Sequence, residues 1–348
     1  SKLVYVLVMN LSELIRGADA FRVSLVLAKT MYFDGSRAGF ALPQGYPPAP
    51  GLVLAWFEML HGRWNEYAVS LAQWNYYAAM LLLFHAGLRR LVSRSLSLVG
   101  VYLLSAFPLF LTHAALAGYA DLPMALYLTA AGIFLHRYAR EGGANDLRLA
   151  IVFSLCLPAI KLEGVTYLPI ALFCMGAAVA VRRGLVRPAA IAGVATLAAA
   201  LGLAAIFLLE ARYGTEGPPV LAAVWGNLVP GNRMGEIAGP LVDHFFWGFN
   251  NWMLAGTLVA MAFPLLALRA GRGEDLPLAL YGGALLATFA YLYGVGGAYL
   301  WLVNGTVVNR TFLQILPILL YGVLVFAEPI LDPDGAGNAP PGPWARRG

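Results

Sequence analysis

Asp19, Asp121, Lys161 with Glu163, and Arg310 each stand nearly alone in apolar sequence: GADAFRVSL, AGYADLPMAL, AIKLEGVTY and VVNRTFLQI. Those side-chain types define a chemistry. An acid can take a proton from an incoming hydroxyl. A lysine and an arginine can neutralise an anionic leaving group, with the guanidinium fork suited to phosphate. Asp121 precedes Leu122-Pro123, so a helix start with an acidic cap is the alternative role. Lys161 and Glu163 interrupt an otherwise apolar run, and two ionisable groups there are costly unless they face a cavity. Pro158 and Gly164 flank them and favour a broken helix; on a continuous helix, positions two apart do not face each other. The alternative for Lys161 is snorkelling to a helix end. Arg310 opens an apolar run at a helix's positive end, a placement that favours a bound anion nearby. His113 lies shortly before Asp121. The segment 211–251 gathers Trp225, Asn227, Arg233, Glu236, Asp243, His244 and Trp247. Trp with amide and acidic side chains suits a sugar ring, and it equally suits an aromatic belt at headgroup depth.

The elements that must carry these residues are read from hydropathy. The chain is 60% hydrophobic and 12% charged, half the charge of an ordinary soluble domain, with a mean hydropathy of +0.71. That composition predicts an all-α, polytopic transmembrane bundle. Apolar runs at about 68–88, 96–112, 119–135, 149–160, 165–181, 188–210, 252–268, 277–294 and 312–330 are its expected spans. Residues 1–10 read as the end of another, for about ten in all. Residues 11–33 place Glu13, Arg16, Asp19, Arg22 and Lys29 among apolar positions, the pattern of an interfacial amphipathic helix. A short helix begins at Tyr46-Pro47-Pro48 and runs to about His61. One domain over 1–330 is expected, with long outer segments at 11–67 and 211–251 and a Pro/Gly-rich flexible tail at 331–348.

Charge orients the bundle. The breaks carrying Arg89, Arg90 and Arg94, then Arg137, Arg140 and Arg148, then Arg182, Arg183 and Arg187, then Arg269 and Arg272 are cytoplasmic by the positive-inside bias. The breaks with Asp19, Asp121, Lys161, Asp243, His244 and Arg310 then share the opposite face. A net charge of +5 reflects this topology and anionic lipid rather than nucleic acid. Cys156 and Cys174 both sit in apolar runs and imply neither disulfide nor zinc.

The blocks GADAFRVSLVLAKTMYFDG with QGYPPAPGLVLAWFEMLHGRW, then AGYADLPMALYLTAAGIFLHRYAREG, AIKLEGVTYLPIALF and NRTFLQILPILLYG, resemble in order those of C-type-fold polytopic glycosyltransferases, the protein O-mannosyltransferase and aminoarabinose transferase-like superfamily. The resemblance implies an inverting enzyme that moves a sugar from a polyprenyl-phosphate donor to an acceptor hydroxyl of a glycan, lipid or protein. It would work on the outer face of a bacterial inner membrane. Asp19 would be the general base and Asp121 would position the acceptor or polarise the site. Lys161, Arg310 and Arg22 would hold the donor phosphate. Tyr46, His113, Glu163, Asp243 and His244 are candidate substrate contacts. Single acids stand where the family often has pairs, so no cofactor or metal is expected. Two other readings stay open: a transporter or flippase for a lipid-linked or anionic solute, and a non-catalytic subunit of the same fold.

Overall fold

The computed structural model describes residues 2–12, 15, 20–35, 47–184, 239–240, 242–243, 254–269, 273–294 and 307–331. The expected span at 188–210, the 331–348 tail beyond Leu331, most of 211–251, and Asp19, Tyr46 and His244 lie outside them.

The described residues form helices and connecting turns. In chain order the α-helices are α1 (Lys2–Ser12), α2 (Val26–Asp34), α3 (Ala49–His61), α4 (Glu66–Leu88), α5 (Arg94–Ala106), α6 (Pro108–Ala115), α7 (Asp121–Glu141), α8 (Ala144–Ile160), α9 (Gly164–Arg182), α10 (Ala255–Arg269), α11 (Leu276–Gly294) and α12 (Val308–Leu331). A π-helical turn, Ala20–Leu25, leads into α2. Helix α7 is the hub, packing on α8, α12, α4, α9 and α11. It and α12 are buried along nearly their whole length. Their apolar side chains, with Tyr77, Phe84, Tyr167, Phe263, Tyr281 and Phe312, make the main core.

Among the described residues, α9, α11 and α12 are each long and apolar enough to cross a membrane. The expected run at 96–112 is a bent pair instead, α5 and α6, meeting at 67°. The cause is local. Phe107 precedes Pro108, whose ring excludes the helical region for its neighbour, and Phe107 accordingly takes φ −63°, ψ 119°. Pro108 then starts α6 at a position where no amide hydrogen is required. Helices α4 and α7 are 23 and 21 residues long, but Glu66, Gln73 and Asn75 dilute the hydropathy of one. Asp121, His136, Arg137 and Arg140 do so in the other. Helix α8 begins at Ala144, earlier than the apolar run at 149.

A second, smaller core lies where the segment before α4 packs on the bundle. Ile15, Ala20, Leu25, Ala28, Leu54, Ala55, Val69, Ala72 and Ala117 are buried together, with Trp64 and Tyr119 packed on them. Helices α2 and α3 approach so closely that a Cβ on Gly51 would meet Leu27 at 2.8 Å. Helix α3 ends at Gly62, whose φ of +77° turns the chain toward the Asn65 cap of α4. Lys29 pairs with Glu66 across this turn at 2.6 Å.

Candidate functional site

Four helices deliver one polar cluster to one end of the bundle. Asp121 is the first residue of α7, yet its side chain caps no backbone amide. The carboxylate is fully buried and turns inward. Its Oδ1 accepts hydrogen bonds from Lys161 Nζ and from Gln314 Nε2, each at 2.9 Å, and its Oδ2 accepts from Arg310 Nε at 2.9 Å. His113 Nε2, from α6, stands 3.9 Å from Oδ2. A buried carboxylate persists only when paired and hydrogen-bonded, and these donors meet that requirement.

The break between α8 and α9 puts Lys161 there. After Ile160 the chain leaves the helix, and Lys161 is extended at φ −155°, ψ 154°. Gly164 starts α9 at once, with its amide donating to Lys161 O at 2.9 Å. A Cβ on Gly164 would fall 2.1 Å from Leu157 O, so the junction requires glycine. Since Lys161 is off the helix, Lys161 and Glu163 pair after all, at 2.7 Å. Helical geometry would have forbidden it. Lys161 is therefore held between two carboxylates. Burial by itself would lower its pKa; Asp121 and Glu163 outweigh that and hold it above the usual lysine value.

Arg310 lies in the first turn of α12, its guanidinium 4.9 Å from the Tyr119 ring. Tyr119 also meets the His113 ring at 5.4 Å. His113 Nδ1 donates to Leu109 O at 3.1 Å. That leaves Nε2 toward Asp121. Gln73 of α4 braces this wall by donating to His113 O at 2.9 Å. Next to Arg310, Thr311 Oγ1 donates to Val307 O and lies 2.7 Å from Tyr293 Oη of α11.

Of the residues singled out by sequence, the structure brings together Asp121, Lys161, Glu163, Arg310 and His113. Arg22 and Asp243 are exposed, and no contact joins either to the cluster among the described residues. Sequence reasoning passed over Gln314, Tyr119 and Gln73. Gln314 left a signal: it is polar within TFLQILPILLYG and sits four residues after Arg310, on the same helix face. Its Oε1 is buried with no hydrogen-bond partner. Among the described residues no three His, Cys, Asp or Glu side chains group so as to hold a metal ion.

No protein-family model and no curated protein matches the sequence. Solved structures match the fold. The crystal structure of ArnT from Cupriavidus metallidurans bound to undecaprenyl phosphate aligns with 97% of this chain at 16% identity and a TM-score of 0.56. The apo crystal structure of the same protein aligns with 97% at 15% identity and a TM-score of 0.54. The chain spans 60% of the length of either. It is a polytopic helical membrane protein that shares the fold of these ArnT structures.

Proposed function

We propose that the protein is an integral-membrane glycosyltransferase that moves a sugar from a polyprenyl-phosphate donor to an acceptor hydroxyl with inversion. It would act on the outer face of a bacterial inner membrane. The observation that carries this reading is the convergence of Lys161, Arg310 and Gln314, from three separate parts of the chain, within 2.9 Å of one buried carboxylate. That arrangement fixes two permanent cations side by side at a helix end. The ArnT structure with the same fold is one bound to undecaprenyl phosphate.

In the proposed reaction Asp19 takes the proton of the acceptor hydroxyl. The acceptor oxygen bonds to C1 of the sugar, and the C1–oxygen bond to phosphate breaks with its electron pair on the phosphate. Lys161 and Arg310 stabilise the charge that develops there, the electrostatic term that usually dominates such transfers. Asp121 holds the two cations in place. His113 and Tyr119 line the same wall, and Gln314 Oε1 offers an acceptor to a substrate hydroxyl. Ala20, the residue after Asp19, is buried against Gly118 in the loop before Asp121, which supports a shared site.

The test is transfer by protein in lipid, supplied with a panel of radiolabelled polyprenyl-phosphate sugars. Release of polyprenyl phosphate by wild type, lost in Asp19→Asn and in Arg310→Ala of normal thermal stability, is the expected result. Full activity of folded Asp19→Asn would overturn the base assignment. No turnover with any donor would overturn the enzymatic reading.

A further inference from the structure

Two carboxylates share Lys161, and they are held very differently. Asp121 has no exposed surface and takes three short hydrogen bonds, one each from Lys161, Arg310 and Gln314. Moving it would break all three. The Glu163 side chain is 24% exposed, and its one ion pair among the described residues is with Lys161. It stands at the cap position of α9, where Thr166 and Tyr167 amides donate to its backbone oxygen and its side chain caps nothing. A released Glu163 carboxylate would therefore remain beside a helix N-terminus, which favours negative charge. Displacing Glu163 costs little, whereas displacing Asp121 costs much.

Charge counting gives this asymmetry a purpose. Among the described residues, Asp121 and Glu163 balance Lys161 and Arg310, so these four groups have no net charge to offer a phosphate. An anion gains a full cation only by taking Lys161 from Glu163. After sugar transfer the phosphodiester becomes a monoester with more negative charge, which binds tighter and leaves more slowly. A tethered carboxylate competing for the same ammonium opposes that gain, because its effective concentration at Lys161 is high.

We propose that Glu163 is an internal competitor for the anion site: it yields Lys161 to the donor phosphate and retakes it to expel the product phosphate. This inference rests on the anion-site reading given above. It predicts that removing the carboxylate tightens phosphate binding, which a structural ion pair would not do.

The measurement is binding of undecaprenyl phosphate to the protein in lipid nanodiscs, for wild type, Glu163→Gln, Glu163→Ala and Lys161→Ala, each first shown to be monodisperse with a wild-type melting midpoint. If one variant fails that screen, the other carries the test. The expected result is about two- to fivefold tighter binding in both Glu163 variants, the scale of one partly screened charge pair, through a slower off-rate, with loss of binding in Lys161→Ala. Unchanged or weaker binding in the Glu163 variants, with loss in Lys161→Ala, would overturn the competitor role and leave the anion site standing. Binding that is absent in wild type, or indifferent to Lys161→Ala, would overturn the anion-site reading and the competitor with it.

Discussion

The two ends of α7 each carry a buried polar cluster, about 22 Å apart along the helix, and they are built on different principles. At the Asp121 end, two permanent cations and the Gln314 amide converge on one carboxylate with three bonds of 2.9 Å. At the other end, His136 Nε2 lies 2.8 Å from Asp275 Oδ1, and its Nδ1 is 3.4 Å from Tyr321 Oη of α12. Arg140 reaches Glu274 and Asp275 only at 3.6 and 3.7 Å. Arg137 pairs with Asp146 at 2.9 Å, and Arg182 donates to the last carbonyls of α7 at Tyr138, Ala139 and Glu141. Among the described residues, the Arg137 and Arg182 contacts at this second end tie one helix terminus to another. The Asp121 end instead concentrates positive charge on one point, where one partner carboxylate is partly open. Similar residue types thus clamp helices in one place and, under the proposed function, handle an anion in the other.

That contrast is testable. The largest effect should come from Asp121→Ala, which removes the buried carboxylate that Lys161 and Arg310 share. Breaking a buried pair in this way costs about 3–5 kcal/mol, read as a lower melting midpoint in detergent together with lost transfer. A triple variant, Asp121→Leu with Lys161→Met and Arg310→Met, should recover stability but not activity. Recovery of activity would break the comparison. Next comes Gly164→Ala, whose Cβ has no room beside Leu157 O. It should cost about 1–3 kcal/mol by overpacking and, by displacing Lys161, reduce transfer beyond the loss of folded protein.

His136→Ala should cost about 1–3 kcal/mol by removing the buried imidazole that stands 2.8 Å from Asp275 Oδ1. Turnover per folded molecule should stay at the wild-type value. A change in turnover would show that the Arg140 end does more than clamp.

The smallest effect concerns Glu58, at the α3–α4 turn. Its Oε2 accepts from Asn65 N at 2.7 Å while Oε1 is buried without a partner. Burial raises its pKa above 4.5, against a smaller lowering by the Asn65 amide and His61. A raised folded-state pKa means that the folded protein binds this proton more tightly than the unfolded chain. The contribution is full below pH 4.5 and is lost as pH rises through the folded-state value. Glu58→Gln should therefore raise the melting midpoint by about 1–2 °C at pH 7 and leave it unchanged at pH 4. Equal shifts at both would place the effect elsewhere.

Much of the bundle was legible in the residues. The apolar runs at 68–88, 165–181, 277–294 and 312–330 return as α4, α9, α11 and α12, because a run that long has no other way to satisfy its backbone in lipid. The bend at Phe107-Pro108 had a readable local cause, as did the break at Pro158 and Gly164. The ionisable residues that stood out in apolar sequence marked the cluster, because an isolated charge in such surroundings must find a partner.

The identity of that partner was not legible. Asp121 read as a site acid that positions an acceptor, or as a helix cap, and Arg310 as a residue awaiting an anion. Each turned out to be part of the other's answer, across 189 positions of chain. Lys161 lies 40 positions from Asp121 and Gln314 lies 193, separations that no periodicity connects. Composition and local stereochemistry by themselves determine which segments are helical, where they break and which charges must be compensated. Which charge compensates which was decided by the packing of α7 against α9 and α12. Side-chain pairing over such distances depends on helix crossing and rotation, and those are set by the whole core at once.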